Sequence, residues 1–539
     1  MPDLSALADV IAGFIKQEPA MTAVRALVFL SLFLVVTYLI LLDRRLVGIP
    51  DEVSELMPTR WTREMLTETY RRLQAQPITP STYASRIPPK LERRYIVTGG
   101  SGLVGSAIVR QLLARGQPPS SIRIVDFRPP NPTSSPYHEE EVDFVQTDIS
   151  SPTATRRAFT KPWPSAVSHL PLTVFHTAAV IVPSDRAASG PGLALCEAVN
   201  VRGTQNVVDS AREAGADVLV STTSGSIALK PVGLWMNPWE LVKGWVTGKK
   251  SWPKDFWQVL DESDFFAPLK KREEFYANYA ASKARAERIV CAANSAEMRT
   301  GCVRPANGIY GDPRDNMLGG TLAKTVMPSW VYNIAQNYVH CENVAIAHLD
   351  FEAVLAASPS AALLPQAGRP FVVTDPNPPI QFNDLYQLVK TLAVTRFYVI
   401  RIPAVPILVM AYFIEGYMWA RWQVAALAAP GSWLQRMLML LLPEFPAEVK
   451  HVRPAIFSIT THLLASNGAA SKSVSHGGIG YTGVWTTLEG MVQEVIDWNR
   501  AHIDARKEKK VVHYQRSVAV AEEIAKSTAA TTVMSVASS

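Results

Sequence analysis

The sequence predicts an α/β protein: a doubly wound parallel sheet with a smaller C-terminal part and an N-terminal transmembrane helix. From Tyr95 onwards, short runs of β-branched residues alternate with amphipathic helices, which is typical of βαβ units on a parallel sheet. A glycine-rich turn, Gly99 to Gly105, separates the first strand from the first helix. Ahead of both, apolar residues run almost unbroken from Ala26 to Leu42. The strands and the turn together indicate a Rossmann-type fold.

The first 45 residues are predicted to anchor the chain in a membrane. The apolar run is about 17 residues long, which is the lower limit for a spanning helix. The basic pair Arg44-Arg45 follows at once, and basic residues flank membrane spans on the cytosolic side. This order places the rest of the chain in the cytosol. A cleaved signal peptide is the alternative, but no small-residue cleavage site of the A-x-A type follows the run.

Length, charge and cysteine content narrow the class of protein. At 539 residues the chain can bury a large core, and one domain of about 350 residues with extensions fits this length. The net charge of +6 comes without a basic stripe interleaved with aromatics, so we expect no nucleic-acid partner, and an anionic membrane surface suits the mild basic excess.

No metal site is expected either. The four cysteines lack metal-ligand spacing, and His138-Glu139-Glu140 lacks the second histidine of H-E-x-x-H.

Changes in composition divide the rest of the chain. Residues 46–92 are polar and contain proline, and we interpret them as a connector. Residues 93–400 form the predicted Rossmann domain, with its first helix at Ser106–Arg115 closed by Gly116. The predicted strands are Tyr95–Thr98, Ile122–Asp126, Phe144–Thr147, Thr173–His176 and Val218–Thr222.

Three segments outside this pattern have unusual composition. Residues 228–260 form an insertion that mixes five tryptophans with lysines, which suits either a membrane interface or a lid over a binding cleft. Residues 401–445 are apolar, but Glu415 and several prolines interrupt them, so we expect an interfacial or re-entrant membrane contact. Residues 446–504 complete the smaller C-terminal part, and residues 505–539 are expected to be disordered.

The glycine turn predicts a dinucleotide site at the end of the first strand. Strand, turn and helix in this order aim backbone N–H groups and the positive end of the helix at a pyrophosphate. Glycine is needed because the turn adopts unusual dihedral angles and the backbone must nearly touch the phosphates. The predicted contacts are Gly99, Ser101, Gly102, Leu103, Val104 and Gly105. A glycine turn in an unrelated α/β fold is the alternative.

An acidic residue follows at the spacing that such a site requires. Asp126 ends the second strand about 21 residues beyond Gly105, where its carboxylate would accept both ribose hydroxyls and repel a 2′-phosphate. NAD is therefore favoured over NADP, although Arg128 lies nearby in the sequence. Two further pairs are positioned to contact the adenine and the nicotinamide side, respectively: Asp148 with Ile149, and Ala178 with Ala179.

The pentad Tyr279-Ala-Ala-Ser-Lys283 predicts the catalytic chemistry. Residues four apart on a helix lie on the same side, one turn apart. An ammonium beside a phenol favours the phenolate and lowers the tyrosine pKa from about 10. Such a tyrosine can take the proton of an alcohol while a nicotinamide takes the hydride, which predicts an oxidoreductase. Ser224, after the fifth strand, would hydrogen-bond the substrate oxygen, and Thr223 would replace it if the strand register differs by one.

With these motifs the chain resembles the extended short-chain dehydrogenase/reductase superfamily. Within it, the chain is most similar to the 3β-hydroxysteroid dehydrogenase family, closest to its sterol-4α-carboxylate 3-dehydrogenase (decarboxylating) branch. The resemblance covers about residues 93 to 500. It rests on Gly99-Gly-Ser-Gly-Leu-Val-Gly105, Val174-Phe-His-Thr-Ala-Ala179, Val199-Asn-Val-Arg-Gly-Thr204, Thr222-Thr-Ser224, Tyr279-Ala-Ala-Ser-Lys283, Arg304-Pro305, Ile309-Tyr-Gly311, Val339–His348 and Gly368–Asp375.

The resemblance implies roles for particular residues. Tyr279 would accept the proton, and Lys283 would be its partner and an NAD ligand. Ser224 would orient the substrate hydroxyl, and Pro305 would contact the cofactor. Asn200 resembles an asparagine that supports the lysine in the wider superfamily, although a purely structural role fits it equally well.

The resemblance also implies a substrate and a setting. A membrane-bound, NAD-dependent enzyme would oxidise the 3β-hydroxyl of a sterol or related polycyclic, with decarboxylation at C4 where a carboxylate is present. We expect it on the endoplasmic reticulum membrane with its catalytic domain facing the cytosol, as a homodimer or within a sterol-demethylation complex. Three alternatives stay open: an enzyme of non-steroidal polycyclics in secondary metabolism, a sugar-nucleotide epimerase or dehydratase, and a non-catalytic NAD-binding scaffold. Both termini and the insertion depart from the family pattern, which bears on the substrate more than on the chemistry.

Overall fold

A parallel sheet of seven strands forms the centre of the molecule. The computed structural model describes residues 19–57, 59–130, 142–357, 363–429 and 431–507. The strands, in chain order, are β1 (Arg94–Thr98), β2 (Ile122–Asp126), β3 (Asp143–Gln146), β4 (Leu172–His176), β5 (Ala216–Thr222), β6 (Trp257–Leu260), β7 (Arg299–Pro305), β8 (Ile309–Tyr310), β9 (Val326–Ser329), β10 (Ala335–Gln336), β11 (Val339–His340), β12 (Pro370–Val373), β13 (Ile380–Gln381), β14 (Tyr398–Arg401) and β15 (His462–Ala465). The order in the main sheet is β12-β7-β5-β4-β1-β2-β3, and all its neighbouring pairs are parallel.

Helices connect these strands and cover both faces of the main sheet. They are α1 (Pro19–Leu46), α2 (Asp51–Glu55), α3 (Arg63–Ala75), α4 (Leu103–Ala114), α5 (Pro152–Thr160), α6 (Pro191–Cys196), α7 (Gly203–Glu213), α8 (Pro238–Thr247), α9 (Asn278–Ala292), α10 (Leu318–Leu322), α11 (Cys341–Ala356), α12 (Phe382–Leu392), α13 (Ala404–Ala426), α14 (Trp433–Leu441), α15 (Ala447–Lys450), α16 (Pro454–Ile459) and α17 (Thr487–Lys507). One π-helical segment, Glu197–Arg202, joins α6 to α7. Short 3₁₀ turns occur at Pro80–Arg86, Pro119–Ser121, Gly225–Ile227, Ser263–Phe266, Arg272–Glu274 and Val474–His476.

The strand order creates a crevice at the carboxyl end of β1. The chain runs from β1 to β2 and β3 on one side, then crosses back to place β4 on the other side, so Thr98 pairs with Val125 in β2 and with His176 in β4. Ligands of open α/β sheets bind at such a switch point, beyond the carboxyl ends of the strands. The predicted Rossmann sheet, with its five predicted strands, is therefore confirmed.

The first helix of the domain begins earlier than predicted. It starts at Leu103, with Gly102 as its N-cap residue, and ends at Ala114. The glycine turn therefore leads straight into the helix, because its last glycine, Gly105, already lies in the first turn. Gly116 has a φ of +85°, and this left-handed conformation ends the helix as the sequence indicates.

The smaller C-terminal part recruits segments from across the chain. Its four-stranded sheet has the order β13-β10-β15-β6, and β6 belongs to the tryptophan-rich insertion. The predicted connector, residues 46–92, is more than a linker. Its helix α3 buries Leu66 and Leu73 in one cluster with Met491 and Val495 of α17, so apolar positions at helical spacing dock it on the C-terminal helix.

The N-terminal helix α1 is apolar and exposed along most of its length, and its C-terminal end, called the base below, is buried. Within the part of the chain that the structure describes, one helical stretch, Met21–Glu55, is long and apolar enough to cross a membrane, with a mean hydropathy of 2.5. Leu42 and Leu46 at the base are buried in a cluster with residues of the insertion and of α13. Asp43 Oδ1 accepts a hydrogen bond from the Val405 N–H at the start of α13, at 3.0 Å. The C-terminal end of this helix is thus packed against the rest of the chain.

The apolar segment 401–445 contains a continuous helix rather than an interrupted one. Its prolines do not break α13, since Pro403 is the N-cap residue and Pro406 lies in the first turn, where the missing N–H costs nothing. Glu415 pairs with Arg186 through contacts of 2.7 and 2.8 Å. Residues 505–507, the start of the predicted disordered tail, belong to helix α17 instead. The rest of the predicted tail, 508–539, and the motif His138-Glu139-Glu140 lie outside the described residues.

Candidate active site

The glycine turn packs so closely that side chains would not fit. Gly99 has a φ of +73°, and a Cβ there would lie 2.6 Å from the Ala178 backbone nitrogen. A Cβ on Gly105 would lie 2.2 Å from the Gly99 carbonyl oxygen. The turn therefore brings the first N–H groups of α4 to the crevice edge, beside the partly exposed Ala178 and Ala179. The predicted Gly99–Gly105 segment, with Ser101, Leu103 and Val104 in it, thus forms a cradle whose shape fits a pyrophosphate.

Asp126 stands at the rim of this cradle, as predicted from its spacing. Its carboxylate accepts hydrogen bonds from the Ser101 N–H at 3.0 Å and the Arg128 N–H at 3.1 Å. Burial raises the pKa of Asp126, and the backbone N–H donors oppose that rise. Each carboxylate oxygen keeps a lone pair for a further donor, so the residues present fit a dinucleotide whose ribose carries free hydroxyls.

Asp148 and Ile149, which were predicted to contact the adenine, differ in exposure. Asp148 is partly exposed, and its Oδ1 accepts from the Ser150 N–H at 2.9 Å. The Ile149 side chain points into the core instead, where a Cβ on Gly203 would lie 2.9 Å from its Cδ1. The Ile149 carbonyl accepts from Asn206 Nδ2 at 2.9 Å.

Pro305 lies behind the serine loop at the end of β7. It is buried, and its carbonyl oxygen is 2.9 Å from the place of a Cβ on Gly225. Close packing at this point holds the loop that carries Ser224.

Lys283 is anchored at the end of β5. Its Nζ donates to the Thr222 carbonyl oxygen at 2.9 Å, and the side chain is only 6% exposed. Burial lowers the pKa of Lys283 to about 8, although Cys302 and Glu287 act in the other direction. The helical spacing therefore brings the lysine to the sheet edge where the predicted serine also lies.

Tyr279 and Ser224 meet at the same edge. Both side chains are partly exposed. Burial raises the pKa of Tyr279 to about 12, and the hydrogen bond with Ser224 opposes this rise. The sequence analysis expected the Lys283 ammonium to lower this pKa, but in the structure burial has the largest effect and raises it.

The strand register distinguishes Ser224 from Thr223. Thr223 is buried, and its Oγ1 donates to Glu287 Oε2 at 2.9 Å. Ser224 is the hydroxyl next to Tyr279. The geometry thus favours Ser224 over Thr223 as the residue that orients a substrate oxygen.

Asn200 connects the loop that contains Val180 to helix α9, which carries Tyr279 and Lys283. It lies in the π-helical segment Glu197–Arg202 and is 1% exposed. Its amide accepts from the Val180 N–H at 2.9 Å and donates to the Val180 carbonyl at 3.1 Å and to Ser282 Oγ at 3.0 Å. Ser282 Oγ in turn donates to the Tyr279 carbonyl at 2.8 Å. These contacts favour the structural role for Asn200.

A buried ionic cluster behind the site was missed by the sequence analysis. Arg304 donates to Glu287 at 2.6 and 2.8 Å and to Asp264 Oδ1 at 2.6 Å. Glu287 follows Lys283 by four residues on α9, and this spacing could have indicated that it lies on the same face. The cluster, Arg304 with Glu287 and Asp264, fixes the catalytic helix to β7.

His176 lies near the crevice, and its hydrogen bonds are made within the core. His176 is buried between Thr98 Oγ1 at 2.7 Å and Thr204 Oγ1 at 2.9 Å, and burial lowers its pKa to about 3. Across the described ranges, no three His, Cys, Asp or Glu side chains converge as metal ligands would.

Comparison with known proteins places this geometry in a family. The model of the 3-beta hydroxysteroid dehydrogenase/isomerase family matches residues 96–232 and 267–404, on both sides of the insertion. A 3beta-hydroxysteroid-dehydrogenase/decarboxylase of Arabidopsis thaliana is 26% identical over 440 residues, covering 78% of this chain and 82% of the relative. The Homo sapiens sterol-4-alpha-carboxylate 3-dehydrogenase, decarboxylating, is 27% identical over 334 residues, covering 60% of this chain and 72% of the relative.

Two solved structures resemble this chain at lower sequence identity. A Thermus thermophilus UDP-glucose 4-epimerase in complex with NAD is 18% identical, with a TM-score of 0.44, and covers 76% of this chain and 99% of that chain. An epimerase from Methanothermobacter thermautotrophicus is 15% identical, with a TM-score of 0.47, and covers 81% of this chain and 99% of that chain.

Proposed function

The chain belongs to the 3β-hydroxysteroid dehydrogenase/isomerase family, and on this premise we propose that it is an NAD-dependent dehydrogenase that oxidises the 3β-hydroxyl of a sterol or related polycyclic alcohol. The observation that carries the proposal is the meeting of Tyr279 and Ser224 at the sheet edge, beside Lys283 and the glycine cradle. Both named relatives above are dehydrogenases of steroid or sterol substrates that also decarboxylate.

In the proposed reaction the chain's residues handle the proton. Tyr279, as phenolate, removes the hydroxyl proton of the substrate, and the Ser224 hydroxyl donates a hydrogen bond to the same oxygen. Bound NAD would supply the hydride acceptor for the carbinol carbon. Lys283 stays fixed by the Thr222 carbonyl at 2.9 Å, with its ammonium available to the cofactor ribose.

Decarboxylation at C4 needs little further help from the protein. If the neighbouring carbon carries a carboxylate, oxidation gives a β-keto acid. The bond to the carboxylate carbon then breaks, carbon dioxide leaves, and the electron pair passes into the new carbonyl as an enolate that is later protonated. We include this step because both named relatives are decarboxylating enzymes.

We place the enzyme on a membrane, with α1 as its anchor. Leu27, Phe29 and Phe33 are among its large apolar side chains and are 63, 71 and 65% exposed. Such a surface is costly in water and suits hydrocarbon. Arg44-Arg45 at the base favours a cytosolic catalytic domain, and the endoplasmic reticulum fits a sterol substrate.

The insertion and α13 would rest at the membrane surface beside the anchor. Trp239 in α8 is 78% exposed and Phe413 in α13 is 67% exposed. Tyr38 of α1 donates to the Met236 carbonyl of the insertion at 3.0 Å, so the two segments lie against each other. Exposed tryptophans with neighbouring lysines are suited to the headgroup region.

The test is NADH formation at 340 nm by detergent-solubilised protein with a 4α-carboxy-3β-hydroxysterol, with the product mass recorded. We expect turnover with loss of carbon dioxide. The Tyr279→Phe variant should lose kcat by about 10² to 10⁴, as expected for removal of a general base, and should keep its NADH affinity by fluorescence quenching. Comparable loss of turnover and of binding would contradict the assigned role. UDP-glucose as substrate provides the control for the sugar-nucleotide alternative.

A further inference from the structure

The loop that follows β4 contacts the catalytic helix α9 at its first turn. In this loop, residues 180–187 and called the β4 loop below, the Asp185 carbonyl accepts from the Asn278 N–H at 2.8 Å. The Ala187 carbonyl accepts from Asn278 Nδ2 at 2.9 Å. The first N–H groups of a helix have no partner within the helix, so the loop supplies one of the missing acceptors. Asn278 directly precedes Tyr279, so these bonds hold the helix next to the catalytic tyrosine.

The other side of the β4 loop is joined to α13. Arg186 Nε and Nη2 donate to Glu415 Oε1 and Oε2 at 2.8 and 2.7 Å, so the ion pair is bidentate. The Arg186 guanidinium also lies 5.9 Å from the centre of the Tyr412 ring. Just past the loop, a Cβ on Gly190 would lie 3.8 Å from the Trp422 side chain of the same helix. A bidentate pair fixes direction as well as distance, so the loop is held to α13 in one orientation.

Arg272 connects the β4 loop to α9 a second time. Its Nη1 donates at 3.3 Å to the Arg186 carbonyl, to the Ala187 carbonyl and to Asn278 Oδ1. One guanidinium therefore contacts both the backbone of the ion-paired arginine and the first residue of the catalytic helix. A displacement of Arg186 would move the acceptors of Arg272 and of Asn278 together.

Glu415 is the one acidic residue in the sequence of α13. Its neighbour Phe413 is 67% exposed, so the carboxylate stands on a helix with a large apolar surface. A charge on such a surface costs free energy unless it is paired, and an apolar residue at this position would avoid the cost. Contact of α13 with a membrane therefore does not explain the glutamate. Its pairing with the β4 loop does.

We propose that Arg186 and Glu415 are positioning residues, whose ion pair fixes the β4 loop against α13 and thereby keeps the first turn of α9, with Tyr279, in its catalytic position. The effect on turnover rests on the proposed dehydrogenase function, because it requires Tyr279 to take the substrate proton. The effect on the order of the loop and of the first turn does not. The pair gives α13 a part in catalysis besides its proposed contact with the membrane surface.

The kinetic test neutralises the pair and compares it with a pair of similar exposure. Arg186→Gln and Glu415→Gln should each lower kcat by about three- to tenfold, because a small displacement of a catalytic group is costly, with KM for NAD unchanged. Arg72→Gln is the matched control. The Arg72–Glu489 pair joins α3 to α17 at 2.7 Å, and its arginine is 47% exposed against 43% for Arg186.

The control separates positioning from stability. All three variants lose one partly exposed ion pair, so their thermal midpoints should change equally little. Only the two variants at the β4 loop should lose turnover. Wild-type kcat in these two variants, or a fall in kcat of the same size in the control variant, would overturn the proposal.

A double-mutant cycle tests whether the two side chains act as one pair. If Arg186 and Glu415 act through their ion pair, the variant that carries both substitutions should lose no more turnover than either single variant. Losses that multiply would show two independent effects and would overturn the proposal.

Hydrogen exchange tests the positioning without substrate. The Asn278 N–H donates to the β4 loop, so its exchange should be at least about threefold faster in the two loop variants than in wild type or the control variant. The Thr223 N–H donates to the Val303 carbonyl at 2.8 Å and should keep its rate in all variants. Unchanged exchange at Asn278 would overturn the inference. Faster exchange there, with no sterol turnover by the wild type, would instead contradict the proposed function alone.

Discussion

At the scale of single residues, the site combines groups whose proton affinities are set by burial. Burial raises the pKa of Tyr279 to about 12 and lowers the pKa of Lys283 to about 8. The tyrosine therefore resists ionisation, while the lysine keeps its charge only below mildly alkaline pH. Ser224 supplies the hydrogen bond that favours the phenolate. The chemistry of the site depends on the protonation states of Tyr279 and Lys283.

The pH dependence of the reaction follows from this arrangement. Oxidation needs the Tyr279 phenolate, whose population rises tenfold per pH unit below its pKa. We expect kcat for oxidation to rise with pH between about 6 and 9, because the phenolate fraction of Tyr279 rises over this range. Ketone reduction needs the phenol and should show the opposite trend. Initial rates in both directions across this range check the prediction, and a flat profile for oxidation would contradict it.

Cofactor choice is a second property that one residue controls. The Asp126 carboxylate lies within hydrogen-bond distance of the Ser101 N–H, at 3.0 Å, so it sits where a ribose would meet the glycine turn. Asp126→Ser should weaken NAD binding and relieve the repulsion of a 2′-phosphate, which shifts the NAD-to-NADP affinity ratio towards NADP by at least about tenfold. Titration of both reduced cofactors by fluorescence measures the ratio. Tighter binding of NADP than NAD by the wild type would show that the role of Asp126 is misassigned.

At the scale of elements, the position of helix α9 decides whether the site exists. The helix carries Tyr279 and Lys283 on the face towards β5, and Glu287 one turn further on. Arg304 of β7 binds Glu287 through two contacts of 2.6 and 2.8 Å, and each side chain is 1% exposed. Asn200 holds the other end of the same helix through Ser282. The helix is thus fixed at both ends of its catalytic turn.

Breaking the ionic cluster should cost both stability and activity. Arg304→Met leaves the Glu287 and Asp264 carboxylates without their partner, and removal of one member of a buried pair costs about 3 to 5 kcal/mol. We expect a lower midpoint in urea unfolding and a fall in kcat. Arg156→Met is the control, because the Arg156–Glu213 pair is 66% and 40% exposed and should change the free energy of unfolding by less than about 1 kcal/mol. Equal effects of the two substitutions would contradict the role of the cluster.

At the scale of the whole molecule, the base of the apolar helix α1, the insertion and α13 pack together as one unit. Leu42 and Leu46 of α1 share a buried cluster with Leu241 of the insertion and Leu408 of α13. The start of α13 is capped by Asp43. The C-terminal end of α1, the insertion and α13 therefore contact one another through buried side chains.

The packing of α1 determines which N-terminal deletions should leave the enzyme folded. Deletion of residues 1–36 removes most of the exposed apolar turns of α1 and keeps Tyr38, Leu42 and Asp43. We expect a folded, active enzyme that is partly released from membranes and retained in part by the insertion and α13. Deletion of residues 1–45 also removes Asp43, which caps α13, and the buried Leu42, and should lower the thermal midpoint. Membrane flotation and thermal unfolding of both truncations measure these effects. If the shorter deletion leaves the enzyme fully bound, the later apolar segments are the main anchor.

The sequence by itself determined the local features, because each is encoded in a short stretch of chain. The glycine turn, Asp126 at the strand end, the Tyr279–Lys283 spacing and the apolar run of α1 each follow from the periodicity or dihedral demands of neighbouring residues. These features were enough to predict the Rossmann sheet and the family. They could not indicate whether residues 46–92 pack, because α3 packs on α12 and α17, which lie about 300 and 400 residues later in the chain.

Tertiary structure alone decided how distant groups share one site. The hydroxyls of Thr223 and Ser224 are equivalent in sequence, and only the packing of Glu287 behind β5 assigns them to different sides. The pKa of Tyr279 was expected to fall because of a neighbouring charge, yet burial raises it, since desolvation depends on everything packed around the phenol. Local spacing fixes which side chains can meet. The dielectric around them, and the partners that fill their hydrogen bonds, come from long-range packing.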